Sequence, residues 1–138
     1  MKLSLERSKQ ELTRIVAATD EFFASEGICE SIRYAVDLVT EELFVNLVNY
    51  NTATTANIDL EMRMRGDAIE VSLTDYDVDR FDPTAHGDVD VNAPLEERTP
   101  GGLGIYLVLN LVDSINYDYR DRVSKITFSK STEPSKDV

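Results

Sequence analysis

Apolar residues along this chain follow two alternating spacings. Residues 2–6 (KLSLE) alternate apolar and polar, the period of a short strand. From about Lys9 to Ser25, the residues Leu12, Ile15, Val16, Ala18, Phe22 and Phe23 recur at helical spacing, and Gly27 marks the stop. A second helical pattern runs from about Glu30 to Tyr50, with Ile32, Ala35, Val36, Val39, Leu43, Phe44 and Leu47 facing inward. Residues 56–65 then set Ile58, Leu60, Met62 and Met64 against polar neighbours. Gly66–Asp67 reads as a turn and 68–74 alternates again, so the pair predicts a hairpin. Residues 75–100 are polar, rich in turn formers and without periodicity, and loops of that length in compact domains are usually functional or disordered. The stretch 101–114 opens on glycines and becomes helical. Residues 115–120 and 123–130 alternate about Asp121–Arg122 as a second hairpin, and the tail 131–138 is expected to be disordered.

Strands outnumber helices in this order. The expected fold is α+β: a two-layer sandwich in which a mixed, mostly antiparallel sheet carries its helices on one face. A chain of 138 residues is the size of one domain, here 1–130 followed by the tail. No apolar run approaches the roughly 18 residues of a membrane span, and the N-terminus has no apolar signal core, so a cytoplasmic protein is expected. The single cysteine, Cys29, reads as a small apolar residue and excludes an intrachain disulfide. With 26 acidic against 14 basic residues the net charge is −12, which repels nucleic-acid phosphate. The same charge would attract a basic protein partner, and it also serves solubility alone.

Three stretches carry candidate chemistry. In 41-EELFVNLVNY-50, Glu42, Asn46 and Asn49 are spaced four and three apart, so they share a helix face offset from the Val39–Leu43–Leu47 stripe. That face can floor a cleft, although from this segment alone a solvated surface stripe is the more ordinary reading. Asp75 closes a predicted strand, where its carboxylate can accept from an exocyclic amine such as that of adenine; ordinary turn chemistry is the competing account. In 100-PGGLGIYLV-108, glycines at a helix start let backbone N–H groups approach an anion, although the stretch is neither a P-loop nor a dinucleotide fingerprint.

The order of these three stretches is more specific than any one of them. A helix with ExxxN, a hairpin ending in Asp, a long loop and GGLG opening a helix resemble the Bergerat (GHKL) ATP-binding fold of gyrase, the heat-shock chaperone and histidine kinases. Glu in the first position of 42-ELFVNLVNY-50, the FDP tripeptide at 81–83 and 101-GGLGIYLV-108 resemble the anti-sigma factor serine/threonine kinases within that superfamily, over residues 3–130. The resemblance implies ATP and Mg²⁺ as ligands. It assigns Glu42 as the general base and Asn46 as the Mg²⁺ ligand, with Asn49 facing the phosphates. It assigns Asp75 to adenine, supported by Ser124, and Gly101, Gly102, Leu103 and Gly104 to the phosphates. Residues 83–100 become a lid in which Arg98 can touch phosphate. At Asp77 the family has Gly, so a charged side chain lies beside the expected base, and one extra residue separates Asp75 from Phe81.

Two functions follow from the resemblance. The first is a protein kinase that holds a sigma factor, phosphorylates a Ser or Thr of a STAS-type antagonist, and forms homodimers through its sheet. The second is a non-catalytic module with a degenerate adenine site, regulating a partner by contact; Asp77 speaks for it. A split histidine kinase fits less well, because Glu42 stands where those domains carry Asn and the only histidine, His86, lies in a predicted loop.

Overall fold

The computed structural model describes residues 1–80 and 109–132. The elements run β1 (Lys2–Leu5), α1 (Leu12–Glu26), α2 (Arg33–Tyr50), β2 (Ile58–Arg65), β3 (Ala68–Tyr76), β4 (Ser114–Arg120) and β5 (Val123–Ser131). A 3-10 turn leads into each helix, Lys9–Glu11 before α1 and Glu30–Ile32 before α2. The five strands form one sheet in the order β1-β2-β3-β5-β4, with every neighbouring pair antiparallel. The α+β sandwich expected from the pattern is therefore the observed architecture, its described sheet wholly antiparallel.

Strand alternation sorts the sheet into two faces. Ile58, Leu60 and Met62 of β2, Ile69, Val71 and Leu73 of β3, and Ile126 and Phe128 of β5 are buried beneath the helices. They meet Ile15, Phe22 and Phe23 of α1 and Val36, Val39, Leu43, Phe44 and Leu47 of α2 in one core. The opposite face is polar and cross-linked between strands: Arg63 and Arg65 pair with Glu70, and the Tyr76 hydroxyl donates to Asp59 at 2.7 Å. No helix among the described residues is long and apolar enough to cross a membrane.

Helix ends obey local chemistry. Gly27 takes φ 64°, and the N–H groups of Gly27 and Ile28 close α1 on the carbonyls of Ala24 and Phe23, a left-handed cap suited to glycine. Two residues depart from their sequence-based placement. Val16, expected inward, is 50% exposed, because the buried phase of α1 passes through Ile15, Thr19, Phe22 and Phe23. Thr19 can be buried because its hydroxyl donates to the Ile15 carbonyl at 2.7 Å. Cys29 is exposed at the entrance to α2, beside the Ser31 hydroxyl.

The helix expected over 101–114 is corrected at its end. Residues 101–108 lie outside the described residues, Leu109–Leu111 is a 3-10 turn, and β4 begins at Ser114. The Asp113 N–H donates to the Ser129 carbonyl and its carboxylate accepts from the Ser131 N–H, so sheet bonding takes over there. At the other end, β5 continues through Ser131, paired with Ala68, and Thr132 bonds to the Asp67 carbonyl, so these two residues of the expected tail are tied to the sheet and the β2–β3 turn.

Thr40 is fully buried on α2, and its hydroxyl has no partner among the described residues. An unpaired buried hydroxyl costs about 1–3 kcal/mol. Thr40→Val keeps the shape and removes that cost, so the variant is expected to raise the thermal unfolding midpoint by a few degrees, measured by circular dichroism.

Candidate functional site

The second half of α2 brings Glu42, Asn46 and Asn49 along one side of the helix, as their spacing predicts. Asn46 is only 2% exposed, and its Nδ2 donates to the Glu42 backbone carbonyl at 2.8 Å. That bond satisfies one of the two amide N–H donors one turn back and orients the carboxamide, with Oδ1 as its acceptor. Asn49 is half-buried one turn further along. Glu42 is also half-buried, whereas Glu41 is exposed to solvent. Burial, then the neighbouring Glu41 charge, push the Glu42 carboxyl above its ordinary value. Among the described residues no group of three His, Cys, Asp or Glu side chains could hold a metal alone. A Mg²⁺ here fits only as an ion that brings phosphate and water oxygens and adds the neutral Asn46 carbonyl oxygen, a donor set that suits its hard, strongly hydrated chemistry.

Asp75 occupies an inward position of β3 and is 0% exposed. Its two carboxylate oxygens are both engaged, one by an Arg7 Nη and the other by Asn51 Nδ2 at 2.7 Å. The remaining Arg7 donors reach backbone carbonyls: Nε to Ala56 at 3.0 Å, Nη1 to Asn51 at 3.2 Å and to Leu47 at 3.4 Å. Arg7 follows β1, Asn51 follows α2, and Ala56 precedes β2, so one guanidinium ties four segments together. Burial draws the Arg7 guanidinium below the ordinary arginine value. Ser124 stands opposite Asp75 in the β3–β5 register, 1% exposed, but its hydroxyl has no partner among the described residues. The carboxylate is thus supported by Arg7 and Asn51.

Asp77 lies just past β3 with φ 56°, the left-handed region that favours glycine and that Asp tolerates better than most residues. The family glycine and this aspartate therefore suit the same backbone. The Asp77 side chain is exposed and accepts from Arg122 Nε at 3.0 Å, while Arg122 Nη1 donates to Asp79 at 2.9 Å. Arg122 is itself left-handed, at φ 64°, in the turn between β4 and β5. The ion pairs thereby join the end of β3 to the second hairpin. Between this junction and the segment after α2 lies a cavity of about 280 Å³, walled by Asn51, Thr54, Asp77, Arg80 and Arg122 among others. Thr54 holds the opposite wall by donating to the Tyr76 carbonyl at 3.2 Å.

The FDP tripeptide at 81–83, His86, Arg98, Gly101, Gly102, Leu103 and Gly104 lie outside the described residues. Arg7 and Asn51 were not singled out from the sequence. Asn51 carried a faint signal as a polar residue closing a helix, whereas Arg7 carried none, since its partner is 68 positions away.

Fold and site together define an α+β sandwich whose second helix carries a polar face beside the core. The histidine kinase-like ATPase domain family matches residues 5–130, and the chain belongs to that family. Among solved structures, the RsbU and RsbW domains of Rv1364c from Mycobacterium tuberculosis are similar in fold, with a TM-score of 0.65 and 16% identity, covering 95% of this chain and 32% of that one. The histidine kinase AdeS of Acinetobacter baumannii is similar at a TM-score of 0.52 and 10% identity, over 97% of this chain and 68% of that one. The chain thus spans about a third of the length of the first of these structures. A search among curated proteins found no match.

Two outcomes follow from the geometry. A carboxyl whose pKa is raised by folding binds its proton more tightly in the folded state, so its ionisation opposes folding at higher pH. Glu42→Gln is accordingly expected to raise stability at pH 7, with the gain shrinking as pH falls through the raised Glu42 pKa toward the ordinary carboxyl range, in chemical unfolding run across pH. Arg7→Met leaves a buried carboxylate without its cation and is expected to cost about 3–5 kcal/mol in the same measurement.

Proposed function

We propose that this chain binds ATP with Mg²⁺, transfers the γ-phosphate to a Ser or Thr of a STAS-type antagonist, and holds a sigma factor as its alternative partner. The observation that carries this reading is the α2 pair: a half-buried Glu42 with a raised pKa, one turn from a buried, oriented Asn46. Family membership and similarity in fold to a structure containing an RsbW domain support it. In the reaction, the Glu42 carboxylate takes the proton of the attacking hydroxyl. The hydroxyl oxygen bonds to the γ-phosphorus as the bond to the β–γ bridging oxygen breaks, and ADP leaves with that electron pair. Mg²⁺ supplies charge neutralisation on the phosphates when bound. Asn46 orients, and the raised Glu42 pKa moves the base toward the operating pH, which favours proton transfer.

A second reading is regulation by contact alone. The Asp77–Arg122 ion pair favours it, since it puts paired charge where the family carries glycine.

Titration calorimetry separates the two. The chain is expected to bind Mg·ATP at submillimolar concentration, and Asn46→Ala to weaken binding on the order of tenfold, about 1.4 kcal/mol. Glu42→Ala is expected to keep nucleotide affinity and lower partner phosphorylation about 100-fold or more. Absence of binding by the wild-type chain at millimolar ATP would leave the contact reading in place of the kinase.

A further inference from the structure

Apolar packing and directional bonds divide the task of holding α2. Val36, Val39, Leu43, Phe44 and Leu47 press the helix onto the sheet, and burial of that kind is non-directional. It draws the helix down but leaves its slide along the strands weakly defined. A hydrogen bond, by contrast, constrains both distance and angle. At the end of α2 such bonds meet in Arg7, whose guanidinium makes four. Nη1 donates to the Leu47 carbonyl at 3.4 Å and the Asn51 carbonyl at 3.2 Å, Nε to the Ala56 carbonyl at 3.0 Å, and the other Nη to Asp75. Asp75 belongs to the central strand β3 and accepts from Asn51 Nδ2 on its other oxygen. Two such bonds use about half of the acceptor positions of a carboxylate, so they do not exhaust Asp75. Arg7 thus clamps the last turn of α2 to β3. Leu47 follows Asn46 directly, so one peptide separates the clamp from the residue proposed to meet Mg²⁺.

We propose that Arg7 is a positioning residue for the nucleotide site: it fixes the half of α2 that bears Glu42, Asn46 and Asn49 against β3, and touches neither nucleotide nor metal. Its donors are engaged by the chain itself and its side chain is 11% exposed, so it offers little to a ligand. The guanidinium spans these segments because its donors diverge in a plane. A lysine ammonium keeps the charge but presents its donors from a single nitrogen, and cannot span them. A misplacement of about 1 Å remote from the reacting atoms can cost on the order of 100-fold in rate. Loss of the clamp therefore reads out in nucleotide handling as well as in stability. This inference rests on the proposed nucleotide binding.

The test compares the full wild-type chain with Arg7→Lys and with Ile15→Ala, a control that loosens the core at α1. Titration calorimetry with Mg·ATP is run at a temperature where all three are folded. Backbone residual dipolar couplings report the orientation of residues 42–49 relative to β3. Arg7→Lys is expected to weaken Mg·ATP about tenfold or more and to change the couplings of α2 against the sheet, whereas Ile15→Ala changes neither. Any one of three results overturns the inference and leaves the proposed function standing: Arg7→Lys binding within about threefold of wild type, couplings that stay in place, or an equal loss of affinity in Ile15→Ala. Arg7 is then a stabilising residue alone. Should Arg7→Lys not fold, the double variant Arg7→Met/Asp75→Leu replaces the buried ion pair by apolar side chains, a change such sites commonly tolerate, and its couplings decide in the same way. Absence of Mg·ATP binding by the wild-type chain overturns the proposed nucleotide binding, and the inference with it.

Discussion

A carboxylate with no exposed surface near the end of the central strand is the constraint around which this domain is assembled. Asp75 continues the inward series Ile69, Val71 and Leu73, so strand geometry alone drives it into the interior. An ionised group there is tolerated only when paired and hydrogen-bonded. Arg7 and Asn51 provide the pairing, and the rest of the guanidinium bonds to the carbonyls of Leu47 in the last turn of α2, Asn51 just past it and Ala56 before β2. The same contacts that neutralise Asp75 therefore fix where α2 ends relative to β3. Because Glu42 and Asn46 lie on α2, their position over the sheet depends on that anchoring.

Asn46 is tolerated among the apolar residues of α2 because its amide nitrogen finds the Glu42 carbonyl, leaving a pre-oriented oxygen. Half-burial, then the neighbouring Glu41 charge, raise the Glu42 pKa. A carboxyl raised in this way costs some stability when ionised, a balance common at functional sites. About 7.5 Å of helix rise separates Asn46 from Asn51, which is already committed to Asp75. The second half of α2 thus runs from the half-buried Glu42 to Asn51, bonded to Asp75.

The described elements follow their sequence patterns closely where burial is one-sided. Both hairpins, β1 and the two helices stand within a few residues of where alternation and helical spacing put them, because each has one face that must leave water. The departures lie where another bond outcompetes the pattern. Thr19 displaces Val16 from the core because a threonine hydroxyl can bond its own helix. The chain becomes strand at Ser114 because Asp113 bonds to β5 at both its N–H and its carboxylate.

By itself, the sequence determined the α+β order, the helical spacing that aligns Glu42, Asn46 and Asn49, and the presence of an aspartate at the end of β3. These are local properties, set by periodicities of 2 and 3.6 residues. What only the tertiary structure decided is the state of that aspartate. Arg7 is 68 residues from Asp75 and Asn51 is 24, and no local pattern marks either as its partner. The same holds for Asp77, whose glycine-like backbone and pairing with Arg122 depend on a hairpin 45 residues further on. Ion pairs between distant segments form only once packing has brought those segments together, so the roles of Asp75 and Asp77 were set by the fold and not by their neighbours in sequence.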